Sequence, residues 1–375
     1  MKFNILHTEW SDGWGGQEQR IILECRKMRE LGHKVVIACQ PGSGILLKAR
    51  EFDIPVEEVA MRGSIDPCAV WNLYRVIKKH GINVVSTHSG KDSWPAGFAA
   101  KLARVELLVR TRHLSLPIKN SPFNFVYRMP DGIVTTGEAI RETMIADNGI
   151  TPEKIVSIAT GVTLDRFDAG RAGAPQLKSE LGIPEGSPVV TMVAVLRGMK
   201  RHDLLVAAAG LLHTDFPEAR YLVIGDGPGR ESVQGMVREA GLEDRVILAG
   251  YREDIPEILA VSDVVVLTSD RFEGVPQSLS QAMAMGRAVV AAPVGSIPEL
   301  IIDGKTGLLA ETGNAHSFAA AIGRLLKDDT LRRELGRGAR SHIVNDYTDD
   351  KMAEKTIRFY ERLLKAKNNH RGEKP

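Results

Sequence analysis

The sequence predicts two α/β domains in series, each a doubly wound parallel sheet covered by helices. Short apolar segments alternate with segments of helical periodicity from residue 3 to about residue 150, and the alternation begins again at residue 189. Apolar strands that alternate with amphipathic helices are typical of parallel sheets buried on both faces. A chain of 375 residues is long enough for two such domains. We expect the ligand site beyond the carboxyl ends of the strands, in a cleft between the domains.

The first half of the chain contains five predicted strands and three predicted helices. The strands are expected at residues 3–6, 34–38, 84–87, 107–110 and 132–134, and the helices at residues 17–31, 69–80 and 138–147. The stretch 167–175 is small, polar and rich in helix breakers, which predicts an interdomain linker. We therefore expect an N-terminal domain at residues 1–168.

The second half repeats the pattern and ends in helices. Strands are expected at residues 189–193, 221–224, 246–248, 264–267 and 288–291. Helices are expected at residues 201–213, 230–240, 254–261, 278–285, 318–326 and 329–345. We expect a C-terminal domain at residues 169–349. Residues 350–375 are expected to form a long helix, to about residue 367, that packs back on the first domain and ends in a frayed tail.

Composition limits the class of protein. Hydrophobic residues make up 43% and charged residues 26%, which is typical of a soluble globular chain. The 49 Lys and Arg residues nearly balance the 47 Asp and Glu residues, so we expect no bulk binding to nucleic acid. Cys25, Cys39 and Cys68 lack metal-ligand spacing and are expected to be reduced thiols of a cytoplasmic protein. The N-terminus fits no secretory signal, so any membrane contact is expected to be peripheral.

Two glycine-rich loops follow predicted strands. Gly13-Trp14-Gly15-Gly16 precedes the first helix, where close backbone approach and a helix N-terminus favour phosphate, although a plain tight turn explains it equally well. Residues 225–229, Gly-Asp-Gly-Pro-Gly, lack the third glycine of a dinucleotide fingerprint because Arg230 stands there. A nicotinamide-dependent oxidoreductase is therefore disfavoured.

A third segment, residues 268–295, combines a strand end, a loop with Glu273-Gly274 and a helix entry. A carboxylate at that sheet edge can accept hydrogen bonds from sugar hydroxyls, and the N–H groups at the helix entry can face phosphate. A helix N-terminal charge favoured by the dipole is the simpler explanation, but it does not account for the segment as a whole.

Several short segments, in this order, carry a resemblance to a known family over nearly the whole chain. They are Gly15-Gly16-Gln17-Glu18, Leu31-Gly32-His33-Lys34-Val35, Thr160-Gly161-Val162 through Phe167, Val193-Ala194-Val195-Leu196-Arg197 with Lys200, Gly225-Asp226-Gly227-Pro228, Glu243-Asp244-Arg245-Val246, Glu273-Gly274, and Ala282-Met283-Ala284 with Gly286. With these segments the chain resembles retaining glycosyltransferases of family 4, which have the GT-B fold.

The resemblance implies roles for individual residues. Arg197 and Lys200 resemble the basic pair that neutralises the donor pyrophosphate, Glu273 the carboxylate that binds the transferred sugar, and His113 the histidine near the reacting carbon. The implied catalytic residues are His113, Glu273, Arg197 and Lys200. The implied donor-binding residues are Gly15, Gly16, Arg197, Lys200, Gly225, Tyr251, Arg252, Glu273, Gly274, Val275 and Gln281. His88 and Lys119 are candidates on the acceptor side.

The family usually has a second glutamate where this chain has Gln281, which can hydrogen-bond to a ribose without the added strength of a charge. No metal site and no cofactor are expected beyond a UDP- or GDP-sugar as substrate. Residues 104–128 contain five basic residues and several aromatic ones. They suit an anionic or lipid-linked saccharide acceptor or a membrane surface, although an ordinary mixed-charge surface explains them equally well. The segment also resembles that of transferases of bacterial lipopolysaccharide or envelope polysaccharide.

Two other functions remain open at this point. A sugar-nucleotide epimerase or hydrolase of the same fold would share the nucleotide pocket, but it would need a water-activating carboxylate that the sequence does not identify. A non-catalytic nucleotide-sugar-binding protein is suggested by Gln281 and disfavoured by the retention of His113, Arg197, Lys200 and Glu273.

Overall fold

The computed structural model describes residues 1–113, 118, 125–170 and 175–372. They form two compact units. Unit 1 comprises Met1–Gly161 together with Asp349–Pro375, and unit 2 comprises Val162–Thr348. Each unit contains one parallel sheet with helices, which confirms the predicted fold class. Among the described helices, none is long and apolar enough to cross a membrane.

Unit 1 is built on a seven-stranded parallel sheet in the order β3-β2-β1-β4-β5-β6-β7. Its strands are β1 Asn4–Glu9, β2 Lys34–Cys39, β3 Val56–Glu58, β4 Val84–Thr87, β5 Leu107–Arg112, β6 Gly132–Thr135 and β7 Ile155–Ser157. Its first six helices are α1 Gly16–Glu30, α2 Gly44–Glu51, α3 Pro67–His80, α4 Ser93–Ala103, α5 Phe125–Arg128 and α6 Glu138–Asn148.

The first strand is longer than predicted. The sequence favoured a strand that ends at residue 6, whereas β1 continues through His7, Thr8 and Glu9, all of which are buried. Polar side chains are tolerated there because each finds a hydrogen-bond partner inside the unit. The prediction also missed α2, β3, α4 and β7, which are short or rich in small residues and depend on packing rather than on their own periodicity.

Unit 2 has a six-stranded parallel sheet in the order β10-β9-β8-β11-β12-β13. Its strands are β8 Val189–Val193, β9 Arg220–Ile224, β10 Val246–Gly250, β11 Val264–Leu267, β12 Ala288–Ala291 and β13 Leu308–Leu309. Its helices are α7 Pro175–Glu180, α8 His202–Leu212, α9 Arg230–Glu239, α10 Ile255–Val261, α11 Gln277–Ala284, α12 Ile297–Leu300, α13 Ala315–Lys327 and α14 Asp329–Asp346. Of the predicted linker, residues 171–174 lie outside the described residues, and α7 begins at Pro175.

The last helix, α15 Asp349–Gly372, belongs to unit 1, as the sequence predicted. Its apolar residues Met352, Phe359 and Tyr360 join the same buried cluster as Phe3 and Ile5 of unit 1. The helix continues five residues beyond the predicted end at residue 367. Chain order therefore does not determine which residues form a folding unit here.

Both sheets have a point at which the strand order reverses. In unit 1 it lies between β1 and β4, and in unit 2 between β8 and β11. Loops after such neighbouring strands leave in opposite directions and open a crevice at the carboxyl edge, which is where doubly wound sheets bind ligands. In each unit, this carboxyl edge is therefore the expected position of ligand-binding residues.

Candidate functional site

In unit 2, the loops after β8 and β11 bring Lys200 and Glu273 together. Lys200 ends a 3₁₀ turn, Gly198–Lys200, and Glu273 lies in the loop between β11 and α11. Lys200 Nζ contacts Glu273 Oε1, and the two side chains are 17% and 9% exposed. Ser269 Oγ donates a second hydrogen bond to the same carboxylate oxygen at 2.5 Å. Two residues 73 positions apart thus form one nearly buried ion pair at the switch point of the sheet.

The backbone around Glu273 is held in an unusual conformation. Phe272, next to it, has φ 60, in the left-handed region that non-glycine residues rarely adopt. Ser296 N donates to Glu273 O at 3.0 Å, and a Cβ on Gly295 would lie 2.0 Å from that oxygen. The loop after β12 therefore holds the Glu273 loop by backbone contacts, which orients the carboxylate before any ligand arrives.

The Gly225 loop after β9 packs against the loop after β8. Gly225 has φ 131, and a Cβ there would lie 2.1 Å from Ala194 O. Gly227 has φ 155, and its Cβ would lie 2.7 Å from Leu196 O. These glycines are required by contact between two protein backbones, an explanation that needs no ligand. Their effect is to hold the turn that leads to Arg197 and Lys200.

The other predicted donor-binding residues of unit 2 lie on the loops and helix at the same edge. Arg197 is exposed at the start of the 3₁₀ turn, and Val275 is buried just before α11. Gln281 is half-buried within α11, with Gly274 in the preceding loop. Tyr251, after β10, is 60% exposed.

Arg252 follows Tyr251 and is strongly paired. Its guanidinium donates to Asp254 Oδ1 at 2.8 Å and to Glu180 Oε1 at 2.6 Å. These carboxylates raise its pKa above the ordinary value. The guanidinium is therefore held by two carboxylates within unit 2.

In unit 1, three histidines form a hydrogen-bonded row across neighbouring strands. His7 lies on β1, His88 follows β4 and His113 follows β5. His7 Nδ1 is 2.9 Å from His88 Nε2, and His88 Nδ1 is 3.0 Å from His113 Nε2. The structure thus joins the two histidines that the sequence singled out and adds His7. His7 was missed because the predicted strand ended one residue before it.

The direction of these hydrogen bonds follows from one orphaned atom. His7 Nε2 is buried and has no hydrogen-bond partner among the described residues. A buried N–H without an acceptor is rarer in proteins than an unused acceptor. We therefore assign the proton of His7 to Nδ1, so that His7 donates to His88 and His88 donates to His113. His113 consequently carries its proton on Nδ1.

Burial keeps all three rings neutral. It lowers the pKa of His7 below its ordinary value and lowers the pKa values of His88 and His113 further still. The positive charges of Arg20 and Arg110 act in the same direction on His88 and His113. The row therefore presents hydrogen-bonding groups rather than positive charge.

Two buried carboxyl groups adjoin the histidine row. Glu9, at the end of β1, accepts from the backbone N–H groups of Trp10 and Ser11, each at 2.8 Å. Asp92 accepts from Thr8 Oγ1 at 2.6 Å and from His88 N at 2.9 Å. Burial, reinforced by the charge of Asp92, raises the pKa of Glu9 to about 8. Burial also raises the pKa of Asp92.

Sequence reasoning missed both of these carboxyl groups. For Glu9 the available signal was an acidic residue three positions after the predicted end of the first strand and four positions before the Gly13–Gly16 loop. That loop leads into α1, where Gly15 is the N-cap and its N–H donates to Glu18 Oε2 at 2.8 Å. The predicted Gly15 and Gly16 therefore lie at a helix N-terminus beside Glu9.

The predicted acceptor segment is only partly described. Lys119 and most of the loop at residues 116–122 lie outside the described residues. Arg110 and Arg112 of β5 both contact the hydroxyl of Tyr127. The guanidinium of Arg110 also lies 4.5 Å from the centre of the Tyr127 ring. These two arginines are thus engaged within unit 1.

Sequence comparisons identify both halves of the chain. The family described as Glycosyl transferases group 1 matches residues 174–342, and the family described as Glycosyltransferase Family 4 matches residues 14–166. D-inositol 3-phosphate glycosyltransferase of Corynebacterium aurimucosum is 30% identical over 91% of this chain and 90% of its own length. UDP-Gal:alpha-D-GlcNAc-diphosphoundecaprenol alpha-1,3-galactosyltransferase of Escherichia coli is 28% identical over 77% and 78%.

A third relative matches about half of the chain, and one solved structure matches nearly all of it. N-acetyl-alpha-D-glucosaminyl L-malate synthase of Bacillus anthracis is 33% identical over 52% of this chain, which spans about half of that protein (50%). The crystal structure of Anabaena Alr3699/HepE in complex with UDP is 20% identical, covers 96% of this chain and 99% of its own, and has a TM-score of 0.83. That structure supports the fold alone. The chain is therefore an enzyme of glycosyltransferase family 4, built on the GT-B fold with a group 1 glycosyltransferase domain as its second half.

Proposed function

We propose that the protein transfers a sugar from a UDP- or GDP-sugar to a saccharide or lipid-linked saccharide acceptor, with retention of configuration and without a divalent metal ion. We further propose that it acts in the cytoplasm, in the synthesis of cell-envelope polysaccharide or lipopolysaccharide. In this reaction the bond from the anomeric carbon to the diphosphate breaks, and a bond to an acceptor hydroxyl forms on the same face. The hydroxyl proton passes to the departing diphosphate.

The observation that carries this proposal is the Lys200–Glu273 pair at the switch point of unit 2. A fixed ammonium group at that edge can stabilise the charge that develops on a departing diphosphate, as a metal ion does in other transferases. A carboxylate oriented by Ser269 and by its own strained loop can bind sugar hydroxyls. The exposed Arg197, three residues earlier, can supply a second positive charge.

The names of similar proteins support the donor and acceptor classes. The Anabaena structure contains UDP, and the name of the Escherichia coli relative specifies a UDP-galactose donor and a diphosphoundecaprenol acceptor. For this chain, UDP-sugars are therefore the first donors to test, and a lipid-linked saccharide is the first acceptor to test. The proposed retention of configuration rests on the family resemblance. The proposed independence from a metal ion rests on that resemblance and on the positive charge that Lys200 provides.

The test measures binding and transfer separately. We expect UDP or GDP, at 100 times its Kd, to stabilise unit 2 by about 2.7 kcal/mol and to raise its thermal midpoint. Lys200→Met is expected to abolish this rise, whereas Lys327→Met, at an exposed lysine of the same unit, leaves it intact. EDTA is expected to leave both binding and transfer unchanged.

Transfer itself is measured in two ways: by the release of the nucleoside diphosphate, and by the NMR signal of the anomeric proton of the product. Release of UDP only in the presence of an acceptor supports transfer, whereas acceptor-independent release would indicate a hydrolase. A flat response to every nucleoside diphosphate, with both units folded, would refute the assignment of the donor site. An inverted anomeric signal would refute the proposed stereochemistry.

A further inference from the structure

We propose that the exposed faces of α3 and α4, with the loop before α3, bind the surface of an anionic phospholipid bilayer. This surface, called here the α3–α4 surface, comprises Ile65, Trp71, Arg75, Phe98, Lys101 and Leu102. It lies within unit 1 and differs from the segment at residues 104–128 that the sequence singled out. The inference goes beyond the proposed function and does not depend on the identity of the donor or the acceptor.

The first observation is a cluster of large apolar side chains in water. Ile65 is 92% exposed, Trp71 56%, Phe98 46% and Leu102 58%. Trp71 lies on α3, and Phe98 and Leu102 lie four residues apart on α4, so they share one helical face. Single exposed apolar residues are ordinary, but a contiguous group on two packed helices indicates a surface that is covered in use.

The second observation is a groove within this surface, with a volume of about 510 Å³. Apart from Ser64 and Asp66, its lining is apolar and comprises Ile65, Pro67, Val70, Trp71, Trp94 and Phe98. The rings of Trp94 and Phe98 lie 6.0 Å apart along one wall. An open apolar groove bordered by two tryptophans can accept acyl-chain segments, and tryptophan is enriched at the interfaces of membranes.

The third observation is the positive charge of this segment, which favours an anionic bilayer as the partner of the surface. Between residues 62 and 104 there are seven Lys and Arg residues and only two acidic residues, Asp66 and Asp92. Asp92 is buried, whereas Asp66 at the start of α3 keeps its negative charge, because backbone hydrogen bonds lower its pKa. Lys79 is paired with Glu57 at 2.7 Å, so the segment's positive charge comes mainly from the remaining basic residues. The whole chain has a formal net charge of only +2, so the positive charge of this segment is a local feature.

The basic residues are interleaved with the apolar ones. Arg75 lies one helical turn after Trp71 on α3, and Lys101 lies three residues after Phe98 on α4, and both are exposed. Each Lys or Arg near an anionic leaflet adds electrostatic attraction to binding, and buried aromatic and aliphatic side chains add a hydrophobic contribution. Basic and aromatic residues on one face match the headgroup layer of a bilayer.

The same charge disfavours a second copy of the chain as the occupant. A two-fold symmetric contact would place identical surfaces against each other and would oppose their positive charges. An anionic bilayer instead neutralises them. The salt dependence of binding therefore distinguishes the two, because attraction to lipid weakens with salt whereas repulsion between copies is relieved by it.

The test uses sedimentation with vesicles of phosphatidylcholine alone or with one third phosphatidylglycerol. We expect the protein to sediment with the anionic vesicles, weakly with the neutral ones, and less as salt rises. The double variant Trp71→Ser/Phe98→Ser is expected to bind at least tenfold more weakly. Leu47→Ser is the matched control, since Leu47 is 62% exposed on α2 of the same unit and lies outside the surface.

A second measurement needs no change to the apolar residues. Cys68 is exposed in the first turn of α3, whereas Cys25 and Cys39 are buried, so a polarity-sensitive thiol dye labels the edge of the surface. Its emission is expected to shift to shorter wavelength with anionic vesicles. The proposal is overturned if the wild-type protein ignores anionic vesicles, if the double variant binds like the wild type, or if the variant only abolishes self-association in the absence of lipid.

Discussion

The raised pKa of Glu9 makes a quantitative prediction about pH and stability. Glu9 ionises at about pH 8 in the fold, against an ordinary value of 4.5. The fold therefore binds this proton more tightly than the unfolded chain does. The resulting contribution to stability is fully present below pH 4.5 and is lost as the pH rises to about 8. At 1.36 kcal/mol per pH unit, the loss is on the order of 4 to 5 kcal/mol.

The perturbation is Glu9→Gln, which mimics the protonated side chain at every pH. A glutamine oxygen can still accept from the N–H groups of Trp10 and Ser11, and Gln17 can reorient its amide toward it. Removing the charge also relieves the repulsion of Asp92, which shares the buried site. We expect wild type and variant to be similar at pH 5 and the variant to be more stable at pH 8.5.

Tryptophan fluorescence during urea unfolding is a selective readout of this effect. All four tryptophans, at positions 10, 14, 71 and 94, belong to unit 1, as Glu9 does. Unit 2 therefore contributes no tryptophan signal. Glu142→Gln, at an exposed glutamate on α6, is the matched control and is expected to follow the wild-type curve.

The informative quantity is the difference between wild type and variant in the free energy of unfolding at each pH, and not the wild-type curve alone. The pKa values of His7, His88 and His113 are lowered, so they act in the opposite sense, and their contribution is lost as the pH falls below their ordinary value of 6.5. Subtracting the two curves cancels this contribution. Parallel curves from pH 5 to 8.5 would refute the reasoning, because Glu9 would then ionise at an ordinary pH.

Three further predictions concern stability and reactivity. Gly225→Ala is expected to destabilise unit 2 by about 3 kcal/mol or more, because the new Cβ would meet a backbone oxygen. The control Gly186→Ala, also at positive φ but in open space, is expected to cost about 1 kcal/mol. Equal unfolding midpoints of the two variants in urea would contradict this prediction. His88→Leu is expected to cost about 2 to 4 kcal/mol, because it leaves a buried ring nitrogen of His7 and a partly buried one of His113 unpaired. An unchanged thermal midpoint would argue against the histidine row. A thiol reagent is expected to modify Cys68 alone in the folded protein and all three cysteines in urea, as mass spectrometry can count.

Sequence reasoning recovered the features that local patterns encode. The alternation of apolar strands with amphipathic helices predicted two parallel sheets, and most long helices lie within a few residues of their predicted bounds. Elements such as α4 were missed because their small residues carry little periodicity, and packing against α3 and the sheet stabilises them. The predicted first strand ended too early, because the polar residues that continue β1 are typical of a loop when their buried hydrogen-bond partners are unknown.

The candidate site likewise combines features that the sequence determined with features that depend on the tertiary structure. The sequence by itself determined which residue types stand after each strand, among them Glu273, and the family resemblance carried by its motifs implied Lys200, His113 and His88 as further candidates. Only the tertiary structure decided that Lys200 and Glu273 form one pair and that His7 extends the histidine row, because these contacts join residues 73 and 81 positions apart. The raised pKa of Glu9 also belongs to the tertiary structure. Its cause is removal from water beside a second carboxyl group, and no local pattern of residues specifies that environment.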